Sequence, residues 1–182
     1  MDEKLKEKAE KLFSEYVKSE TLKMHCKEVA IIMKHLAKYL QKDEELWYYA
    51  GLLHDLDYDE IKDLEKHGLK TGEILKEEGF PEEFVHAVLR HNEANGNKRQ
   101  EEFDFYLSAA DNVAGFIYAY GLMRKAISGM EPNKLLKKLK DKSFAANVRR
   151  DEIYDIEKFM PIEQFLKIAI EAMSTIEKEL GF

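Results

Sequence analysis

The stretch GLLHDLDYD, residues 51–59, places a histidine–aspartate pair directly after an apolar run. Adjacent side chains on a helix diverge by about 100°. His54 and Asp55 can therefore reach one metal ion only where a helix ends or bends. The apolar run predicts a helix that is capped by Asp43 and ends at the pair. We therefore expect a metal site at the end of this helix.

Two further candidate ligands lie on either side of the pair. His25 precedes His54 by 29 residues, and Asp111 follows Asp55 by 56 residues in the apolar string LSAADNVAGF. A buried carboxylate costs free energy unless it is paired or bound to a metal. Imidazole and carboxylate ligands suit Fe, Mn, Zn, Ni and Co, and the ligand types alone do not choose among these metals.

The rest of the chain predicts an all-α, single-domain helical bundle with one core, because helical periodicity recurs and strand signals are nearly absent. A length of 182 residues suits one domain. Within it we expect a metal-site core at about 20–126 and a C-terminal helical extension at 127–182. The expected helices span Glu3–Lys18, Thr21–Leu40, the segment from Asp43 to His54, 68–78, 81–91 and Phe103–Ala126, with two more that begin at Pro132 and Pro161, the last reaching Leu180.

Composition disfavours several classes of protein. One cysteine, Cys26, excludes an intrachain disulfide and suits a cytoplasmic setting. The charged N-terminus is not typical of a signal peptide, and no window approaches the about 18 apolar residues of a membrane span. The net charge of −7 argues against a stable nucleic-acid partner. The aromatic run at residues 47–49 would suit either a homodimer surface or the core.

The ordered set of histidines and aspartates resembles the HD superfamily of metal-dependent phosphohydrolases over about Met24 to Gly115. His25 matches the first histidine of that motif, His54 and Asp55 match the namesake pair, and Asp111 matches the last ligand. The C-terminal strings LKDKSFAANVRRDEI and PIEQFLKIAIEAMSTIEKELG are similar to an uncharacterised HDIG-like subgroup of predicted hydrolases.

Two more histidines match positions that carry extra ligands in two-metal members. They are His67 in EKHGLKTGEIL and His91 in AVLRHNE. In those members the paired aspartate, here Asp55, bridges both ions. The motif departs from its common variant at Leu56-Asp57, where a small or apolar residue and a glycine are usual. Asp57 and Asp59 therefore lie near the site, where either could orient a ligand histidine or belong to a solvated acidic loop.

The resemblance implies a hydrolase that cleaves a phosphoester or phosphoanhydride with metal-activated water, with Asp55 and His54 as catalytic residues. The cofactor would be one or two divalent ions of Fe, Mn, Ni, Co or Zn, with Mg as a further option. The expected substrate is a small phosphorylated molecule, a nucleotide or dinucleotide. Two alternatives remain open: an HD-fold di-iron oxygenase, and a non-catalytic nucleotide-binding or signalling module.

Basic residues gather in the later third of this acidic chain. Most of these side chains suit a solvated helix face. Four of them are candidates for phosphate contacts: Arg124, Lys142, Arg149 and Arg150. Arg124 lies 13 residues beyond Asp111 on the same predicted helix. That separation is about 20 Å along the axis, which suits a distal phosphate or base rather than the metal.

Overall fold

The computed structural model describes residues 1–182 and consists of helices and turns without any strand, which confirms the all-α prediction. Nine α-helices follow one another along the chain, with 3-10 turns at Glu93–Asn95 and Asp155–Lys158. The helices are α1 (Glu3–Tyr16), α2 (Glu20–Leu40), α3 (Glu44–Leu53), α4 (Leu69–Glu77), α5 (Glu82–Arg90), α6 (Glu102–Arg124), α7 (Pro132–Leu139), α8 (Arg150–Tyr154) and α9 (Ile162–Thr175).

The first three helices begin at side chains that accept hydrogen bonds from free backbone amides. Asp2 caps α1, Ser19 caps α2 and Asp43 caps α3. Such caps satisfy amides that have no partner inside the helix. The predicted cap at Asp43 is confirmed, and with it the helix that leads to the histidine–aspartate pair.

Helix α6 runs through the middle of the bundle and packs against α2, α5, α8 and α9. Its side chains are apolar on almost every face, and Tyr106 and Phe116 are completely buried. A helix that is hydrophobic all round belongs in the centre of a core. The buried apolar residues form a single cluster that includes residues of α9 as well as α2 and α6.

Helices α2 and α3 approach each other closely at Gly51. A Cβ atom on Gly51 would lie 2.7 Å from Cα of Ala30 and 2.9 Å from the carbonyl carbon of Val29. Only glycine allows this approach without moving a backbone. The contact brings the end of α3, where the pair lies, against the helix that carries His25.

The C-terminal part differs from the prediction. The last helix ends at Thr175 rather than near Leu180. The hydroxyls of Ser174 and Thr175 donate to backbone carbonyls within the last turn, which competes with continued helix. Helix α8 was not predicted because its five residues are too short to show a periodic pattern.

The aromatic run contributes mainly to the core. Trp47 and Tyr49 are buried, and Trp47 stacks on Phe103 with ring centroids 4.8 Å apart. No helix has the length and apolar character that a membrane span requires.

Candidate metal centre

The six residues with predicted ligand roles come together in one cluster. Helices α2 and α6 each supply one, the ends of α3 and α5 supply three, and the turns before α4 supply the last. The Asp55 carboxylate lies at the centre, with Oδ1 3.0 Å from Nε2 of His67, 3.3 Å from that of His54 and 3.5 Å from that of His91. Oδ1 of Asp111 lies 2.9 Å from Nε2 of His25 and 3.8 Å from Nε2 of His54.

Two of the histidines sit at helix ends with the same local geometry. His54 and His91 are the C-terminal caps of α3 and α5, each with φ −62° and ψ −29°. Nδ1 of His54 donates to the carbonyl of Gly51 at 2.7 Å, and Nδ1 of His91 donates to the carbonyl of Val88 at 2.6 Å. This tautomer turns the Nε2 lone pair toward the cluster. Nε2 of His54 has no partner there, whereas Nε2 of His91 lies 3.1 Å from Nε2 of His67. The partial negative charge at a helix C-terminus also favours a cation there.

His67 is oriented by the side chain of Asp57. Nδ1 of His67 donates to Oδ1 of Asp57 at 2.8 Å, and the amide of Gly68 donates to Oδ2 at 2.9 Å. Gly68 adopts φ +89°, in the left-handed region that favours glycine, as the chain turns into α4. Asp59 accepts from the amides of Lys18 and Ser19 instead. The histidine-orienting partner is therefore Asp57.

Sequence reasoning missed the neighbour of His25. Glu28 is almost fully buried, and its Oε2 lies 3.8 Å from Nδ1 of His25. Burial raises the pKa of the Glu28 carboxyl, and the nearby histidine only partly offsets this. The available signal was the spacing of three residues along one helix, which puts both side chains on the same face.

The donor atoms fit a divalent transition metal. Nε2 of His54 and Oδ1 of Asp55 are buried and have no hydrogen-bond partner. Such atoms are rare in folded proteins and call for a missing partner. Donor atoms within 4.8 Å of one another form three overlapping groups: His25, His54 and Asp55; His54, His91 and Asp111; and Asp55, His67 and His91. Nitrogen and oxygen donors in this combination suit Fe, Mn, Co, Ni or Zn.

A model of the HD domain family matches residues 23–115. The chain belongs to the HD domain family. The resemblance drawn from the ordered ligands is thereby confirmed, while the HDIG-like subgroup stays a prediction. HD domains are in general metal-dependent hydrolases. No curated protein and no solved structure matches the chain. The matched HD segment contains all six cluster residues and ends before α7.

The electrostatics of the six-residue cluster, called the HD cluster below, favour the binding of positive charge. Its members are His25, His54, Asp55, His67, His91 and Asp111. Burial by itself would raise the pKa values of Asp55 and Asp111, but the surrounding histidines lower both well below the usual range. Burial by itself would lower the pKa of His67, but the carboxylates of Asp55 and Asp57 outweigh it and raise that pKa to about 10. Both aspartates are therefore charged at neutral pH, and they attract cations, whether protons or metal ions.

The four basic residues predicted to contact phosphate have different surroundings in the structure. Arg149 reaches the HD cluster, with a terminal guanidinium nitrogen 3.3 Å from Oδ2 of Asp111. Arg150 instead donates to backbone carbonyls of the loop between α7 and α8. Arg124 donates to carbonyls just beyond the end of α6. Lys142 is exposed in the loop. Only Arg149 is brought to the site.

Proposed function

We propose that this HD protein is a metal-dependent phosphohydrolase that cleaves a phosphoester or phosphoanhydride. The observation that supports this most strongly is the position of Asp55. Its buried Oδ1 has no hydrogen-bond partner and faces Nε2 atoms of three histidines at 3.0 to 3.5 Å. A carboxylate in this setting is suited to bridge two cations.

The proposed ligands divide into two overlapping sets. His25, His54 and Asp55 would hold one ion together with Asp111, whose Oδ1 lies 2.9 Å from Nε2 of His25 and 3.8 Å from Nε2 of His54. Asp55, His67 and His91 would hold the second. When bound, such ions neutralise charge on phosphoryl oxygens and lower the pKa of water enough to make it a nucleophile near neutral pH. No side chain of the protein then has to act as the attacking group.

The protein's own residues would position the reacting groups. The backbone carbonyls at the ends of α3 and α5 fix the tautomers of His54 and His91, and Asp57 fixes the tautomer of His67. Rings held in this way cost little entropy when they bind an ion. Oδ1 of Asp55 faces the histidines, so it would not be free to contact the sugar or base of a substrate.

The substrate class we propose is a nucleotide or dinucleotide. Support for this comes from the resemblance to the superfamily and from cations in the C-terminal third, of which Arg149 lies at the cluster. Guanidinium groups bind phosphate well because two N–H groups match two oxygens.

Phosphate release from a panel of nucleotides and dinucleotides tests the proposal. Each assay would contain Mn, Fe, Co, Ni or Mg, and would compare wild type with Asp55→Asn and the control Asp59→Asn. We expect metal-dependent release that is lost in Asp55→Asn and kept in Asp59→Asn. Nucleotide binding without product under every metal would instead support a binding module. Tightly held iron with consumption of dioxygen would support the oxygenase.

A further inference from the structure

The segment after α7, outside the matched HD segment, builds an arginine into the edge of the metal site. Asp111 turns Oδ1 toward His25 and Oδ2 toward the guanidinium of Arg149, at 2.9 Å and 3.3 Å. Arg149 is therefore separated from the ligand cluster by one carboxylate. Its side chain is 37% exposed, so a bound molecule could reach it.

Two asparagines that directly follow cluster residues hold Arg149. Oδ1 of Asn92, next to His91, accepts from the guanidinium at 3.2 Å. Oδ1 of Asn112, next to Asp111, accepts from the backbone amide of Arg149 at 3.0 Å.

Both asparagine amides have their orientation fixed by other bonds. Nδ2 of Asn92 donates to the carbonyls of Leu64 and His67 at 2.7 Å and 3.2 Å. Nδ2 of Asn112 donates to the carbonyl of Ser108 and to Glu152, both at 3.0 Å. Each side chain is thus left with its oxygen facing Arg149, and both asparagines are buried. An exposed arginine that happened to lie here would have no such support.

The neighbouring arginine shapes the loop that delivers Arg149. The guanidinium of Arg150 donates to five backbone carbonyls between the end of α7 and the start of α8, and it lies over the ring of Phe116. Glu152 on α8 lies 3.4 Å from Nε of Arg149. The guanidinium of Arg150 therefore stabilises the conformation of the loop in which Arg149 lies beside Asp111.

Arg149 retains donors for an anion. A guanidinium has five N–H groups. Three of its nitrogen contacts in the structure, to Asn92, Asp111 and Glu152, are long, at 3.2, 3.3 and 3.4 Å. One N–H on each terminal nitrogen remains, and such a pair suits two oxygens of one phosphoryl group.

We propose that Arg149 binds the phosphoryl group of the substrate beside the metal ions, and that Asn92, Asn112 and Glu152 are its positioning residues. This inference rests on the proposed function, since it identifies the part of the substrate that lies next to the ions. It also makes the segment around α8 a part of the active site that the HD motif itself does not contain.

The test compares wild type with Arg149→Gln, Arg149→Lys and the control Lys140→Gln. Lys140 is an exposed cation at the end of α7 without a side-chain partner, so the control removes the same charge near the same loop. Metal content, melting temperature and the affinity of the metal-loaded protein for inorganic phosphate would be measured, the last by calorimetry. KM and kcat for a hydrolysed nucleotide would follow.

We expect Arg149→Gln to keep its metal and to bind phosphate about ten- to a hundredfold more weakly, as expected for loss of a charged hydrogen-bonded pair. KM should rise more than kcat falls. Arg149→Lys should recover part of the affinity, since lysine keeps the charge but lacks the planar fork. Lys140→Gln should bind phosphate as wild type does.

Unchanged phosphate affinity in Arg149→Gln would overturn the inference. Loss of metal from both Arg149 variants would also overturn it, because Arg149 would then support Asp111 rather than bind the phosphoryl group. If wild type hydrolyses nucleotides and Arg149→Gln changes neither KM nor phosphate affinity, this inference fails while the proposed function stands. If wild type releases no phosphate from any substrate, the proposed function fails, and phosphate affinity still decides the role of Arg149.

Discussion

Replacing Asp57 with asparagine should loosen one metal ion and leave the other in place. Asp57 accepts N–H groups on both carboxylate oxygens: His67 Nδ1 at 2.8 Å on one, and the amides of Gly68 and Thr71 at 2.9 and 3.3 Å on the other. An asparagine keeps only one acceptor oxygen. If that oxygen faces the backbone, the new NH2 group faces His67. The proton then moves to Nε2, where the ion must bind.

The opposite orientation of the new amide also costs free energy. The oxygen would face His67, and the NH2 group would then oppose the amides of Gly68 and Thr71, leaving buried donors without an acceptor. Loss of a partner that orients a ligand histidine typically lowers metal affinity by about 10- to 100-fold, or about 1.4 to 2.7 kcal/mol. In the proposed two-ion site, the ion assigned to His25, His54, Asp55 and Asp111 should keep its affinity.

Chelator competition on the two variants Asp57→Asn and Asp59→Asn would measure this effect. Asp59 lies in the same acidic loop but accepts from the amides of Lys18 and Ser19, so its variant should bind both ions as wild type does. Equal affinities for both ions in wild type and Asp57→Asn would refute the reasoning. So would an equal loss in the two variants.

Three further predictions concern the close approach of α2 and α3, the charge of His67, and the loop between α7 and α8. Gly51→Ala should destabilise the protein by about 1 to 3 kcal/mol, because the new Cβ meets the backbone of α2 at 2.7 Å. Its control Gly115→Ala meets nothing within 4 Å, and it should stabilise the helix by about 0.5 to 1 kcal/mol in thermal melting. Metal affinity should rise with pH and level off near pH 10, because the His67 pKa of about 10 means that binding displaces a proton. Arg150→Met should raise amide hydrogen exchange across residues 140–149, since it removes five carbonyl contacts.

Each of these predictions has a result that contradicts it. Equal melting temperatures for the Gly51 and Gly115 variants would exclude a close approach of α2 and α3. Metal affinity that does not change between pH 7 and 9 would mean that His67 binds no ion or carries no displaced proton. Unchanged exchange in the Arg150 variant would show that the loop holds its shape without the guanidinium.

The sequence predicted the cluster of six residues through their match to the HD superfamily motif, and for Asp111 also through the cost of burying an unpaired carboxylate. Asp111 stands in an apolar helix, and His54 with Asp55 ends another. His67 and His91 entered the same hypothesis through their match to the extra ligand positions of two-metal members of the superfamily. The helical pattern likewise predicted the central helix, since α6 is apolar on nearly every face.

The features that the sequence did not predict depend on contacts between distant segments. Asp57 and Asp59 are the same residue type in the same acidic segment, so the sequence does not distinguish them. In the fold, Asp57 lies beside His67 and Asp59 lies beside the start of α2. Arg149 and Arg150 are adjacent, yet one reaches Asp111 and the other binds the loop backbone. No local pattern distinguishes the members of either pair, because Asp59 and Arg149 find partners 41 and 38 residues away along the chain. Asp57 and Arg150 bind nearer segments instead.

Metal stoichiometry is the most direct test of the central claim. Elemental analysis of the protein after loading with Mn, Fe, Co, Ni or Zn would be compared for wild type and Asp55→Ala. A two-ion site with Asp55 as the shared ligand predicts about two ions per chain in wild type and loss of both from the variant. One ion per chain would move His67 and His91 out of the ligand set. No metal under any loading condition, or equal metal in the two proteins, would contradict the account.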